Sequence, residues 1–269
     1  MMDWCCMNIY EAIECCSELI PYAQREVNLW RVEQAIDNKK TYFIPTDALN
    51  DLYDDFLFPL PFNAELCGIN LHNKDFLHSL VLWNLFGKTI RVSDQILNFV
   101  WNAEFLERVD SSIFYKLPSQ SFFVASRVDN FSGFLATLNF IEDDQGKQFY
   151  IIINLLNESG GKGKQINYVI PRAQSFNLFE DIKGHQYEKT LSKVFYLLLY
   201  VVDGFQQKTD IIKKNDIFYL GFRFANEYEA NKSISGFWRK AHWHTYYTKN
   251  DDGEEEAIVN WVAPVWVNK

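Results

Sequence analysis

His242 and His244 flank Trp243, and two imidazoles at positions i and i+2 of a strand project from one face, where they can ligate the same metal ion. A zinc site takes a third ligand and usually a fourth. His185 and the acidic run Glu254-Glu255-Glu256 are available for those places, but their positions in the chain do not set their distance from the pair. The competing reading has both histidines hydrogen-bonded to backbone or carboxylate beside Trp243. With two ligands specified and no more, the sequence supports neither a metal nor a cofactor. A metal-dependent ribonuclease built on His242 and His244 is the alternative, enzymatic reading.

Other reactive constellations are incomplete. No GxSxG elbow occurs, and Cys67 has only His72 and His78 near it in sequence, both at or on an expected helix. The acidic pairs Asp54-Asp55, Asp143-Asp144 and Asp251-Asp252 fall in loop-like contexts, where solvated charge is the ordinary explanation. The Gly-rich run Ser159 to Lys164 lacks the GxxxxGK[ST] pattern and precedes a strand, so no helix N-terminus would face a phosphate there. It reads as a hairpin loop. No strand end presents the acid and ExK of a metal-dependent nuclease. The chain therefore reads as a non-enzyme with no catalytic residue.

The stretch around the two histidines suits binding better. Trp238 to Lys269 holds four of the chain's eight tryptophans, so a special use is concentrated there. Two strand-like runs, His242 to Thr248 and Ala257 to Val262, are separated by an acidic, Gly-containing connection at Asn250 to Glu256, the pattern of a hairpin with a long loop. Alternation puts His242, His244 and Tyr246 on one face and Trp243, Thr245 and Tyr247 on the other. Trp238, Trp243, Tyr246, Tyr247, Trp261 and Trp266, with Arg239, have the composition of an interaction hot spot; an aromatic core is the alternative for some of them.

These residues sit in an acidic chain of 269 residues with net charge −9, which argues against a broad phosphate-binding surface and so against direct nucleic-acid binding. Lys162, Lys164, Lys213 and Lys214 offer a local basic alternative. The cysteines, Cys5-Cys6, Cys15-Cys16 and Cys67, are odd in number, with adjacent pairs that do not readily close a disulfide, so a reducing cytoplasm is expected. Asp3, Glu11, Glu14 and Glu18 stand where a signal peptide would be basic, then apolar. The longest apolar run, Val194 to Val202, is far short of the roughly 20 residues that span a bilayer. No membrane association is expected.

The elements that must position the hairpin follow from periodicity. Residues 3 to 38 read as two helices split near Pro21, and Thr46 to Cys67 as a packed irregular connection. Phe76 to Phe86 reads as a helix stopped by Gly87, and Ser93 as the N-cap of another running through Leu106. From Ile113 onward come strand patterns, IFYKL, SFFVAS, GFLATLNFI, QFYIIINLL and INYVIP, joined by short turns and hence antiparallel. A helix over 186 to 203 ends at Gly204, and Ile217 to Phe224 is a further strand. The expected fold is one α+β domain over 1-269, mostly helical over 1-108 and sheet-rich over 109-269. N-terminal and central helices cover an antiparallel sheet, and the chain ends in the hairpin.

The ending Arg239-Lys240-Ala241-His242-Trp243-His244-Thr245-Tyr246-Tyr247, followed by Trp261-Val262-Ala263-Pro264-Val265-Trp266-Val267-Asn268, resembles the C-terminal signature of a type V-A anti-CRISPR family, approximately RxGHWHxYW and an aromatic-Val-Asn close. Looser similarity runs through AIDNKKTYFIP, SSIFYKLP and SGFLATLNFIED. Ala241 stands where the family usually has Gly, and Tyr247 where it has Trp. The resemblance implies a protein of phages, plasmids and bacterial genomes that suppresses biogenesis of the RNA-guided type V effector nuclease. Such a protein recognises the effector's nascent N-terminal peptide and lowers its mRNA, with the translating ribosome and host RNA-decay factors as further partners. The peptide is then expected beside the hairpin, with Trp243, Tyr246 and Trp261 shaping a pocket and Arg239, His242 and His244 offering polar contacts.

Overall fold

The computed structural model describes residues 17–33, 43–60, 64–66, 68–103, 109–157, 163–172, 175–208, 210–231, 236–249 and 255–268. The fold is α+β, dominated by antiparallel pairing. The chain forms two compact units, Met1–Thr89 with Ser119–Ile170 and Ile90–Pro118 with Pro171–Lys269.

The first unit has α1 (Leu19–Glu33), a 3-10 turn (Thr46–Leu49) running into α2 (Asn50–Leu57), and α3 (Lys74–Phe86). Strand β1 (Lys88–Val92) crosses the boundary in the chain. The unit continues as an antiparallel meander of β2 (Ser121–Val124), β3 (Gly133–Asp143), β4 (Gly146–Leu156) and β5 (Lys164–Val169), with Ser121 opposite Thr137, Gly133 opposite Leu156 and Leu155 opposite Lys164. The sequence pattern of short connections predicts this order. Gly146 adopts φ +94° where β3 turns back into β4, a conformation that glycine takes without a Cβ clash.

Helix α3 is the unit's centre, every residue from Phe76 to Trp83 being buried. The Asn73 side chain caps its first turn by accepting from the Phe76 N–H. One face of the meander covers it: Ser121 donates to the Ser79 carbonyl at 2.9 Å, and the Phe123 ring meets Trp83 edge-on at 5.6 Å. Leu135 and Leu156 join the same apolar cluster as α1, α2 and α3.

The second unit has α4 (Asp94–Trp101), a 3-10 turn (Ser111–Lys116), the short α5 (Leu178–Asp181), α6 (Glu188–Gln207), a hairpin of β6 (Ile211–Lys214) with β7 (Ile217–Leu220), and α7 (Phe222–Asn231). Then β8 (Gly236–Arg239) pairs with β11 (Val265–Asn268), and β9 (His242–Lys249) with β10 (Glu255–Val262). These four strands form one long two-stranded hairpin interrupted at Lys240-Ala241 and Ala263-Pro264. Pro264 has no N–H to give the ladder, which accounts for the break.

Several expectations are corrected. Thr46 to Cys67 is largely ordered as the 3-10 turn and α2, because Leu49, Tyr53 and Leu57 at helical spacing supply a buried face; Cys67 itself, like the other cysteines, lies outside the described residues. Ile113 to Lys116 lies in the 3-10 turn, with Leu117 as its cap, and forms no strand, since Asp110 accepts from the Ser112 N–H at 2.8 Å and starts a turn. Pro21 falls inside the first turn of α1, where it is tolerated; the expected preceding helix lies outside the described residues. Helix α4 ends at Trp101, and Leu106 lies outside the described residues. Gly204 does not end α6: the helix runs on to Gln207 and closes at Lys208 with φ 52°. A Cβ at Gly204 would lie 2.4 Å from Leu220 Cδ2, so glycine there serves the packing of α6 on β7. The strand expected through Phe224 stops at Leu220, where Gly221 turns the chain at φ +75° into α7.

Candidate functional site

The predicted hairpin is present. Its strands extend slightly past the expected limits, and His242 faces Val262, Trp243 faces Trp261, His244 faces Asn260 and Tyr246 faces Ile258. Residues 250–254 of the connection lie outside the described residues. Alternation separates the two faces. His244 and Tyr246 are exposed and stack on one another, ring centroids 4.2 Å apart and planes 20° from parallel. Trp243 is buried and meets Trp261 edge-on at 5.0 Å. Tyr247, on the same side as Trp243, is exposed, so the buried face does not extend to the hairpin's far end.

Of the candidate residues, the structure thus brings together two pairs, His244 with Tyr246 and Trp243 with Trp261. His242 is half-buried at the start of β9. Arg239 is exposed on β8, beyond the break in the ladder and opposite Val265. Trp238 and Trp266 turn out to be packing residues: their rings meet at 5.4 Å, and Trp238 reaches Phe224 at 5.0 Å and Tyr228 at 5.6 Å on α7.

Metal ligation finds no support from register. Glu255 and Glu256 pair with Lys249 and Thr248, five and four positions along β9 from His244, which is roughly 13 Å or more at strand rise. Glu254 lies outside the described residues. His185 accepts from the Tyr187 N–H at 3.1 Å. Among the described residues, no three His, Cys, Asp or Glu side chains gather as a metal site.

Helix α6 carries what the sequence reading missed. Tyr200, Asp203 and Gln207 follow one another at i, i+3 and i+7 and lie on one helix face. Tyr200 meets Trp261 edge-on at 5.7 Å, the Trp261 backbone N–H donates to the Asp203 carboxylate, and Gln207 donates to Asn260 at 3.0 Å. Asp203 is only 4% exposed, and burial pushes its carboxyl up to about 6 against the pull of the Trp261 N–H. Burial, with Asp210 and Asp203 nearby, also raises the Tyr200 phenol. Among the described residues, Asp203 Oδ1 and the indole N–H groups of Trp243 and Trp261 are buried without hydrogen-bond partners. The available signal was an acid closing the run Val194 to Val202, one residue beyond where the apolar face was read.

The model of the AcrVA2-like family, anti-CRISPR type V subtype A2, matches residues 202–269, from the end of α6 through the whole C-terminal hairpin. The solved structure described as "Crystal structure of AcrVA2" matches with a TM-score of 0.64 at 17% identity, covering 97% of this chain and 100% of the other. The two share a fold. No curated protein sequence matches.

Proposed function

We propose that this chain is an anti-CRISPR inhibitor acting on type V-A systems, and that it does so by binding the nascent N-terminal peptide of the effector nuclease and promoting loss of its mRNA. The observation carrying the inhibitor role is the family match over residues 202–269. The peptide step rests on the hairpin's construction. Strands β9 and β10 form a sheet of two, so among the described residues β9 has a free outer edge eight residues long. An extended chain leaving the ribosome can add to such an edge through main-chain hydrogen bonds, with side chains read by flanking rings. Tyr246, Trp243 and Trp261 are the rings, and Arg239, His242 and His244 the polar groups.

Co-expression with a type V-A effector tests both levels. Effector activity, protein and mRNA should fall together, and the fall should persist when the first codons are replaced by synonyms and vanish when the encoded residues are changed. Lost activity with unchanged mRNA removes the decay step and keeps the inhibitor; full activity removes both.

A further inference from the structure

Asp203 on α6 and Trp243 and Trp261 on the hairpin carry one acceptor and two donors that are buried and make no hydrogen bond among the described residues. Asp203 Oδ1 is buried and unpartnered, and among the described residues no ion pair reaches this carboxylate. The indole N–H groups of Trp243 and Trp261 are likewise buried and unpartnered. Native proteins pair nearly all such groups, because each orphan forfeits its hydration without return. Three orphans on residues packed together call for a ligand.

The chemistry of the three limits what that ligand is. An anion would meet a carboxylate. A simple cation would satisfy Asp203 and leave both indole donors empty. A peptide segment carrying a lysine or arginine satisfies all of them, its charge on Asp203 and its carbonyl oxygens on the indoles. The walls agree: Tyr200, Trp243 and Trp261 are joined edge-to-face through Trp261, and aromatic faces beside an acid favour an ammonium or guanidinium.

We propose that Asp203, with Tyr200, Trp243 and Trp261, forms a specificity site for a cationic side chain of an extended peptide. This deepens the peptide-binding reading and takes its occupant from it. Asp203 is covered in this structure, so occupation requires the hairpin to lift from α6, to which Gln207 and Asn260 clip it by an exposed hydrogen bond.

The test uses the full chain and two small probes, N-acetyl-lysine methylamide and its uncharged counterpart N-acetyl-norleucine methylamide, with the indole N–H resonances of Trp243 and Trp261 as readout. The lysine probe should shift both resonances saturably and bind at least about tenfold tighter than the norleucine probe. Asp203→Asn should remove that preference. Equal response to both probes in the wild type overturns the site, with no variant needed, as does an undiminished preference in a folded Asp203→Asn protein. No effector enters this measurement, so effector mRNA falling while both probes bind alike sinks this site alone. A lysine preference with effector mRNA unchanged sinks the decay mechanism alone.

Discussion

The Tyr53 hydroxyl and His78 Nδ1 lie 2.8 Å apart in the first unit's interior, and the direction of that bond follows from the partner of the other ring nitrogen. His78 Nε2 is 3.0 Å from the Ile44 carbonyl, which only accepts, so Nε2 carries the proton and Nδ1 accepts from Tyr53. Burial then pushes the His78 pKa down to about 4.

That neutral histidine should make stability acid-sensitive. Below about pH 6.5 the unfolded chain takes up a proton that the folded protein refuses until about pH 4, so stability is lost as pH falls through this window. The contribution is about 3 kcal/mol. Urea midpoints at pH 7.5 and 4.5 should drop less in His78→Gln than in the wild type. Tyr53→Phe should cost about 1–3 kcal/mol at neutral pH by orphaning Nδ1. Equal acid sensitivity with and without His78 would refute the assignment.

Asp203 should act in the opposite direction. Its folded pKa of about 6 exceeds the unfolded value, so its contribution is full below about pH 4 and is lost as pH rises through 6. Asp203→Asn keeps an acceptor for the Trp261 N–H and removes the buried charge. At pH 8 it should unfold at higher urea than the wild type, by about 1–3 kcal/mol. The two proteins should converge near pH 4, and a constant gap across pH would show that charge is not the cause.

The glycines of the second unit separate space from strain. Gly204 is helical and crowded by the Leu220 side chain, whereas Gly221 combines φ +75° with Ile96 Cγ2 only 2.7 Å from where a Cβ would stand. Gly204→Ala should cost about 1–3 kcal/mol through overpacking, and Gly221→Ala more, because backbone strain adds to the clash. Leu220→Val should recover part of the first loss and none of the second in a thermal-unfolding comparison.

How far the sequence reached follows from which forces act locally. The meander β2 to β5 and the β9–β10 hairpin were legible because alternation and turn chemistry are written within a few residues. The caps at Ser93 and Gly87 were legible too, though the Ser93 hydroxyl donates to the Gly221 carbonyl, 128 residues away, in place of its own helix. Helix α2 was hidden behind Pro59 and Pro61 and the aromatics around them, although Leu49, Tyr53 and Leu57 stand at helical spacing. Gly204 was misread as a stop because the reason for it is Leu220. The site divides similarly: His244 and Tyr246 share a face by period alone, but nothing local announces that Asp203 meets Trp261.

The hairpin's two faces should have separable roles. Tyr246 is 47% exposed and its ring touches His244, so Tyr246→Ala removes little packing and should shift the unfolding midpoint by less than about 0.5 kcal/mol. If the peptide adds along β9, the same change should weaken capture of a synthetic effector N-terminal peptide about tenfold, as loss of a hot-spot ring does. Trp238→Ala should reverse the pattern, costing about 3–5 kcal/mol because four aromatic neighbours lose their partner. The triple variant Arg239→Ala, His242→Ala, His244→Ala removes exposed or half-buried polar groups and should fold while losing capture. Pull-down and urea unfolding on the same four proteins decide the matter. Capture retained by both the folded triple variant and Tyr246→Ala would move the peptide off this hairpin.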